Sequence, residues 1–489
     1  MFVDNFHLAG SEPEAVAISY RDIEYTYTEM ENKVQKFTSF LKSLGVKKGV
    51  KVAISSPNCP EFIFSYWAIS RLGAVAVPLN MLFTLEEIGY VLSNSESQVL
   101  IVHPEILKKV DASGIQLPGL KNIVVLDDDT LGKIDSCDPL MLDNTDKSVD
   151  DLITILYTSG TTGKPKGAML THRNLLSDIQ SLTKATYIGP KDNFLCVLPM
   201  FHSFAWTVCV LLPIYCGGTV VILDSFFPSE ILNSIVDKKI TFVLGVPSMY
   251  ALLLKRGQPK QFKNVHLTVS GGAPMPVELF RAFTDKFPVN FVEGYGLTEA
   301  SPVVSINPVD GVKKPGSIGL PLPDVSMIIG DEEGNELPVG QVGEILVKGD
   351  NVMKGYYRDE KATEETFING WLRTGDLGRM DEDGYTYIVD RKKDLIIMGG
   401  FNVYPREIEE VLYTHPKIAD AAVIGVCDPV RGEMPKAFIV PVEGEPLTEK
   451  EIQDFLREKL AQYKMPRSIE FREELPKNAL GKILKKELE

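Results

Sequence analysis

Residues 157–167 read Tyr157-Thr158-Ser159-Gly160-Thr161-Thr162-Gly163-Lys164-Pro165-Lys166-Gly167 and directly follow an apolar run, Leu-Ile-Thr-Ile-Leu, at 152–156. Such a run reads as a buried strand. The three glycines allow φ > 0 and close approach of backbone to a ligand. Four Ser/Thr hydroxyls and two lysines add donors and positive charge, a combination suited to a polyphosphate cradled by backbone N–H groups. A Walker A loop is excluded: it requires GxxxxGK[ST], and here Pro165 follows Lys164. A strand feeding a ligand loop fits an α/β sheet, where ligands sit beyond the carboxyl ends of the strands.

Upstream, the same alternation recurs. Thr26 to Glu29 has the pattern of a capping box, followed by Met30, Val34, Phe37, Leu41 and Leu44 at helical spacing, with Gly45 as the stop. Residues 51–55, 74–79 and 99–103 read as strands, and 61–72 and 85–92 as helices, which predicts a largely parallel sheet. The pattern returns at 261–270 and 289–292. After about Lys314 the texture changes: Pro and Gly become frequent, and short strands at 326–329, 342–348 and 385–389 predict a small β-rich subdomain. Arg391-Lys392-Lys393 then precedes a fresh α/β pattern, so we expect two domains, 1–390 and 391–489.

The composition is globular, with 44% hydrophobic and 24% charged residues among 489, and excludes a disordered or fibrous chain. The net charge of −15 argues against nucleic acid as a partner, since such binding relies on neutralising phosphates. It leaves anionic small molecules open, because a site can be basic within an acidic protein. The last 99 residues hold 17 Lys/Arg and 18 Asp/Glu, so the acidity belongs to the larger domain. Six cysteines without a CxxC pair read as reduced thiols in a cytoplasmic protein, and the first residues lack the pattern of a signal peptide. Between Asp192 and Asp224 lie 31 uncharged residues, broken by Pro199, His202, Ser203, Pro213 and Gly217-Gly218; they are expected to form buried core or a pocket wall rather than a membrane span.

The glycine loop resembles the phosphate-loop signature of the adenylate-forming superfamily, which contains acyl-CoA synthetases, luciferases and peptide-synthetase adenylation domains. Six further blocks are similar to that family in order: Gly271-Gly272-Ala273-Pro274, Tyr295-Gly296-Leu297-Thr298-Glu299, Thr374-Gly375-Asp376, Asp390-Arg391-Lys392-Lys393-Asp394, Gly399-Gly400-Phe401-Asn402-Val403-Tyr404-Pro405, and Pro476-Lys477-Asn478-Ala479-Leu480-Gly481-Lys482. The resemblance implies a large N-terminal domain of doubly wound sheets with a small β-rich subdomain, and a smaller mobile α/β C-terminal domain. It implies attack of a carboxylate on the α-phosphate of ATP, release of pyrophosphate, and transfer of the acyl group from the acyl-adenylate to coenzyme A. Both reactants of the first step are anions, so pre-placed cations are expected.

Residue by residue, the resemblance places ATP against Thr158, Ser159, Gly160, Thr161, Thr162, Gly163, Lys164, Lys166, Gly272, Ala273, Pro274, Tyr295, Gly296, Asp376 and Arg391. Tyr295 offers a flat face for adenine, Asp376 an acceptor for ribose hydroxyls, and Arg391 a second ribose or phosphate contact. Glu299 resembles the family's Mg²⁺ ligand, with Thr298 beside it as a phosphate donor. Lys482 is expected on the α-phosphate and the attacking carboxylate, Lys393 at the hinge, and Gly399, Gly400 and Phe401 at the coenzyme A face.

The acyl pocket is expected at His202, Trp206, Gly271 and Gly296. Peptide-synthetase domains put Asp where His202 stands, to hold an ammonium group. No acid lies between Asp192 and Asp224, which disfavours amino acids. Trp206 resembles a tryptophan that gates the tunnel of long-chain synthetases, although it equally reads as a packed core residue. The expected enzyme is a fatty-acyl-CoA ligase for medium- or long-chain acids. An aryl-acid (benzoate- or coumarate-like) CoA ligase and an acyl-carrier-protein loading adenylase are the alternatives. A homodimer stays open.

Overall fold

The computed structural model describes residues 12–113, 119–142, 146–158, 164–398, 401–428 and 432–488. Four sheets organise them. A six-stranded sheet has the spatial order Asn122–Val125, Ser97–Val102, Lys51–Ser55, Val75–Pro78, Leu152–Thr158, Lys166–Thr171. All its pairings are parallel except the last, which is antiparallel. A nine-stranded sheet runs from Leu320–Pro321 through Val303–Ile306, Asn290–Gly296, Leu267–Ser270, Phe242–Gly245, Asn193–Cys196, Thr219–Ile222 and Val16–Tyr20 to Ile23–Thr26. It is parallel in its middle and antiparallel at both edges.

Local chemistry explains these elements. The helix Tyr27–Ser43 starts at a capping box: the Thr26 hydroxyl accepts from Glu29 N, and Thr26 N donates to Glu29 Oε2 at 2.8 Å. Thr84 and Glu87 repeat the device at the helix Leu85–Ser95, which runs three residues beyond the expected Leu92 because no breaker intervenes. Within the run Lys51–Ser55 the three central residues, Val52, Ala53 and Ile54, are all apolar because both sheet faces are covered. Val52 and Ile54 join the main core on one face, and Ala53 joins a second cluster with Ile88, Val91 and Leu92 on the other. The main core continues from Ile54 through Phe62 and Trp67 to Phe194 and Val220, so it spans both large sheets.

A five-stranded antiparallel sheet follows, built on Val325–Gly330, Gly343–Gly349, Phe367–Ile368, Trp371–Met380 and Thr386–Arg391. The final sheet pairs Ile418–Asp428 with Gly432–Pro441 and encloses a separate core around Val403, Ile408, Val423, Ile439, Ile452 and Leu456. The expected α/β architecture, with two large sheets, a β-rich part and a smaller C-terminal α/β part, is what the structure has. Among the described residues no helix is long and apolar enough to cross a membrane.

The uncharged stretch is buried. It contributes the strand Asn193–Cys196, a π-helical turn at Trp206–Leu211 and the short helix Leu212–Cys216. A π turn widens a helix locally and commonly marks a functional wall.

Candidate active site

The segments read as blocks converge at strand ends. Leu267–Ser270 leads into Gly271 and Gly272, the latter at φ +76°. Asn290–Gly296 leads into the single turn Thr298–Ala300. A Cβ on Gly296 would lie 2.0 Å from the carbonyl oxygen of Pro302, and one on Gly271 would lie 2.7 Å from the Phe204 ring. Glycine is therefore required at both positions by close packing.

These turns border a cavity of about 590 Å³, counting its open mouth. His202, Ser203, Phe204, Gly271, Gly272, Tyr295, Gly296 and Thr298 are among its lining residues. The remaining wall is largely aliphatic, with Leu182, Val208, Leu212, Leu244, Val303 and Ile306, and it includes Phe242. Among the described residues no Asp, Glu, Lys or Arg lines it. His202 Nδ1 accepts from Phe204 N at 3.2 Å, which leaves Nε2 as the position for the ring proton. Burial, and then the nearby Lys482 charge, pull its pKa down to about 4, so the ring is neutral. Ser203 Oγ and Thr298 Oγ1 are 3.2 Å apart, tying the uncharged stretch to the Thr298 turn.

Beside the cavity, Tyr295 donates its hydroxyl to Asp376 Oδ2 at 2.6 Å, and Arg391 Nε lies 3.2 Å from Asp376 Oδ1. Burial and the Asp376 carboxylate hold the Tyr295 hydroxyl far above its ordinary value, so it remains a donor. Burial works against the Arg391 charge, but Asp376 and Tyr295 more than offset it.

Lys482 reaches this cluster from the C-terminal part. Its turn is closed by Asn478, whose Oδ1 accepts from both Leu480 N and Lys482 N. Gly481 is left-handed at φ +75°, with a Cβ position only 2.7 Å from Ser248 Oγ. Leu480 is 4% exposed and belongs to the main core, near Gly272. Burial first, and then the Arg391 charge, lower the Lys482 pKa to about 8, against the pull of Asp376.

The structure does not bring every expected residue to the cavity. Trp206 lies away from its lining; it is 2% exposed and packs on Phe62, Tyr66 and Trp67 with ring centroids 5.4, 4.3 and 5.9 Å away. Phe401 is 60% exposed and sits on Tyr463 at 5.1 Å. Ala273 is half-buried and Pro274 exposed just beyond Gly272. Thr158 pairs with Lys166 across the strand pair. Lys164 is exposed, its ammonium 5.4 Å over the Tyr90 ring. Lys393 is exposed in the short turn Lys392–Asp394, where partial desolvation lowers its pKa. Ser159, Gly160, Thr161, Thr162, Gly163, Gly399 and Gly400 lie outside the described residues. Residues not anticipated also matter: Ser203, Asn478, Leu480 and Tyr356, whose hydroxyl donates to Glu299 Oε1 at 2.8 Å. Leu480 and Asn478 carried a signal as neighbours of Lys482 in one block, and Ser203 as a neighbour of His202 in the uncharged stretch; Tyr356 carried none.

Two family models match the chain: "AMP-binding enzyme" over residues 6–357 and "AMP-binding enzyme C-terminal domain" over residues 407–482. A long-chain-fatty-acid–CoA ligase of Bacillus subtilis (strain 168) is 38% identical, over 97% of this chain and 91% of that protein. A feruloyl-CoA synthase of an Amycolatopsis species is 36% identical, over 98% and 96%. A crystal structure of ATP-bound MatB from Rhodopseudomonas palustris superposes with a TM-score of 0.93 at 33% identity, covering 100% of this chain and 98% of that one. The chain belongs to the AMP-binding enzyme family, within the adenylate-forming superfamily. Its coarse class there is that of an AMP-forming acid–CoA ligase.

Proposed function

We propose that this ligase activates a medium- or long-chain fatty acid. The carboxylate attacks the α-phosphate of ATP and pyrophosphate leaves; the thiol of coenzyme A then displaces AMP from the acyl-adenylate. The observation that carries the choice of acid is the cavity wall, which is largely apolar, has no charged side chain among the described residues and includes a neutral His202. A distal charge on the substrate would be buried there without a partner. Each methylene placed against such a wall contributes about 0.8 kcal/mol. Aryl acids are the second reading, favoured by the relative named feruloyl-CoA synthase and by Phe204 and Phe242 in the wall.

In this reading Thr158, Lys164 and Lys166 face the phosphates, together with the loop 159–163. Tyr295 and Gly271 to Pro274 flank adenine, and Asp376 and Arg391 hold the ribose. Lys482 spans the α-phosphate and the attacking carboxylate, two anions that repel each other without it. Support for that role comes from its half-buried place near the charges of Arg391 and Asp376 and near His202. Among the described residues no group of three or more His, Cys, Asp or Glu could hold a metal. Mg²⁺ does not need one, since it commonly takes one or two carboxylates plus substrate phosphates and water, and Glu299 fits that donor set. When bound, Mg²⁺ would neutralise charge on the phosphates. The part 391–489 acts as a lid that turns about Lys393, withdrawing Lys482 and presenting Gly399, Gly400 and Phe401 to coenzyme A.

Pyrophosphate release measured across saturated and aromatic acids tests the substrate. Rates rising with chain length are expected, and activity confined to aromatic acids would overturn the fatty-acid reading. Supplying a phosphopantetheinyl carrier protein in place of coenzyme A separates the carrier-loading alternative. Lys482→Ala should slow adenylate formation by about a hundredfold or more. It should leave thioester formation from preformed acyl-adenylate nearly unchanged, and equal loss of both half-reactions would refute the turning lid.

A further inference from the structure

The segment from Met353 to Tyr357 lies along the edge of the six-stranded sheet, against the strand Lys166–Thr171. Met169 N donates to Gly355 O at 2.9 Å, Lys354 N to Met169 O at 3.0 Å, and Tyr357 N to Gly167 O at 2.8 Å; Tyr356 stands opposite Ala168. The segment therefore continues the pairing beyond Lys166–Thr171, covering an edge that would otherwise be open. Its other end reaches the second half of the site, where Met353 N donates to Glu299 O at 2.8 Å. One short strap thus joins the backbone of the strand that begins at Lys166 to the backbone of Glu299.

The side chain of Tyr356 makes the same connection. Its hydroxyl donates to Glu299 Oε1 at 2.8 Å, and the Lys166 ammonium sits 5.3 Å over its ring. Tyr356 is half-buried. Its backbone N–H donates to Thr363 Oγ1 at 2.9 Å, and Gly355 before it sits at φ +139° with a Cβ position 2.7 Å from Thr363 Cγ2, so the turn cannot relax freely. A carboxylate with one oxygen held by a phenol keeps the other oxygen for an outside ligand. An ammonium resting on a ring is confined to one face, and that contact costs little when a phosphate approaches.

We propose that Tyr356 is a positioning residue of the nucleotide site, holding Glu299 by its hydroxyl and Lys166 by its ring so that both meet the same magnesium–triphosphate unit. The inference rests on the nucleotide-binding reading given above. It concerns ATP and its cation, and does not depend on which acid is used.

The experiment is calorimetric titration of ATP into the full chain at a series of Mg²⁺ concentrations, without acid or coenzyme A. Tyr356→Phe removes the hydroxyl and keeps the ring. It should raise the Mg²⁺ concentration needed for half-maximal ATP affinity by about tenfold, the equivalent of about 1.4 kcal/mol. The unliganded melting temperature should stay near that of the wild type. Tyr356→Leu should add a loss of ATP affinity at saturating Mg²⁺, because the support of Lys166 goes too. Thr363→Val disturbs the same turn while leaving the phenol in place, and should leave the Mg²⁺ midpoint unchanged. Equal midpoints for wild type and Tyr356→Phe would overturn the inference alone, as would a Thr363→Val shift as large as that of Tyr356→Phe, which would assign the effect to the turn. Absence of Mg²⁺-dependent ATP binding by the wild type would overturn the nucleotide reading and this inference with it.

Discussion

Lys482 is half-buried near the charges of Arg391 and Lys393, and of Asp376 and Asp394, which pull the other way. Burial and the like charges win, setting the pKa near 8. The ammonium is the form that can meet two anions, so the working fraction falls as pH rises through that value. The rate constant kcat/KM reports the free enzyme. For adenylate formation, kcat/KM with ATP varied should therefore be level below about pH 7.5 and fall towards tenfold per pH unit above about 8.5. A profile flat to pH 10 would remove Lys482 from that step. The residues of this cluster were legible in advance, because Asp376, Arg391 and Lys482 each stand in a recognisable block. Tyr356 was not, since its partner Glu299 is 57 positions away and nothing in the sequence links a phenol to that carboxylate. Trp206 shows the reverse difficulty. A tryptophan four residues from His202 reads equally as a gate or as core, and only the three aromatic rings of the helix Pro60–Arg71 packed on it show where it lies.

At the scale of elements, the capping-box pattern at Thr26 and the apolar runs are short-range signals, and they located the first helix start and the strands to within a few residues. The turn Asn478–Lys482 is different: its shape is local, held by Asn478 Oδ1, but its place is not. Leu480 acts as the hook, burying its side chain in the core of the larger part. Truncating a buried leucine typically costs about 2–5 kcal/mol. Leu480→Ala should therefore loosen the docking of the turn and slow adenylate formation about tenfold or more. Thioester formation from preformed acyl-adenylate should change by less than about twofold, because the lid motion proposed above withdraws the hook for that step. Stopped-flow comparison of the two half-reactions distinguishes this from a general loss of stability, which would slow both.

Across the whole molecule, the cavity proposed for the acyl group exists because three distant regions enclose it: the uncharged stretch, the helix His172–Thr186 and the ends of the nine-stranded sheet. Val208, on the π turn, faces into it. Enlarging that side chain should close part of the space. Val208→Phe should lower kcat/KM for the longest acids accepted by about tenfold or more while sparing shorter ones, a loss matching two or more methylenes left unburied. Uniform loss at all chain lengths would argue against Val208 as a wall. In a chain of net charge −15, the surroundings of Lys482 balance cations against acids, with Arg391 and Lys393 facing Asp376 and Asp394. Fold class, the order of elements and the family were determined by the sequence itself, since strands, caps and motif blocks depend on neighbours a few positions away. The docking of Lys482, the neutral state of His202, the support of Glu299 by Tyr356 and the packing of Trp206 were decided only by the tertiary structure. Burial and charge proximity act through space between residues far apart in the chain, and no local pattern encodes those distances.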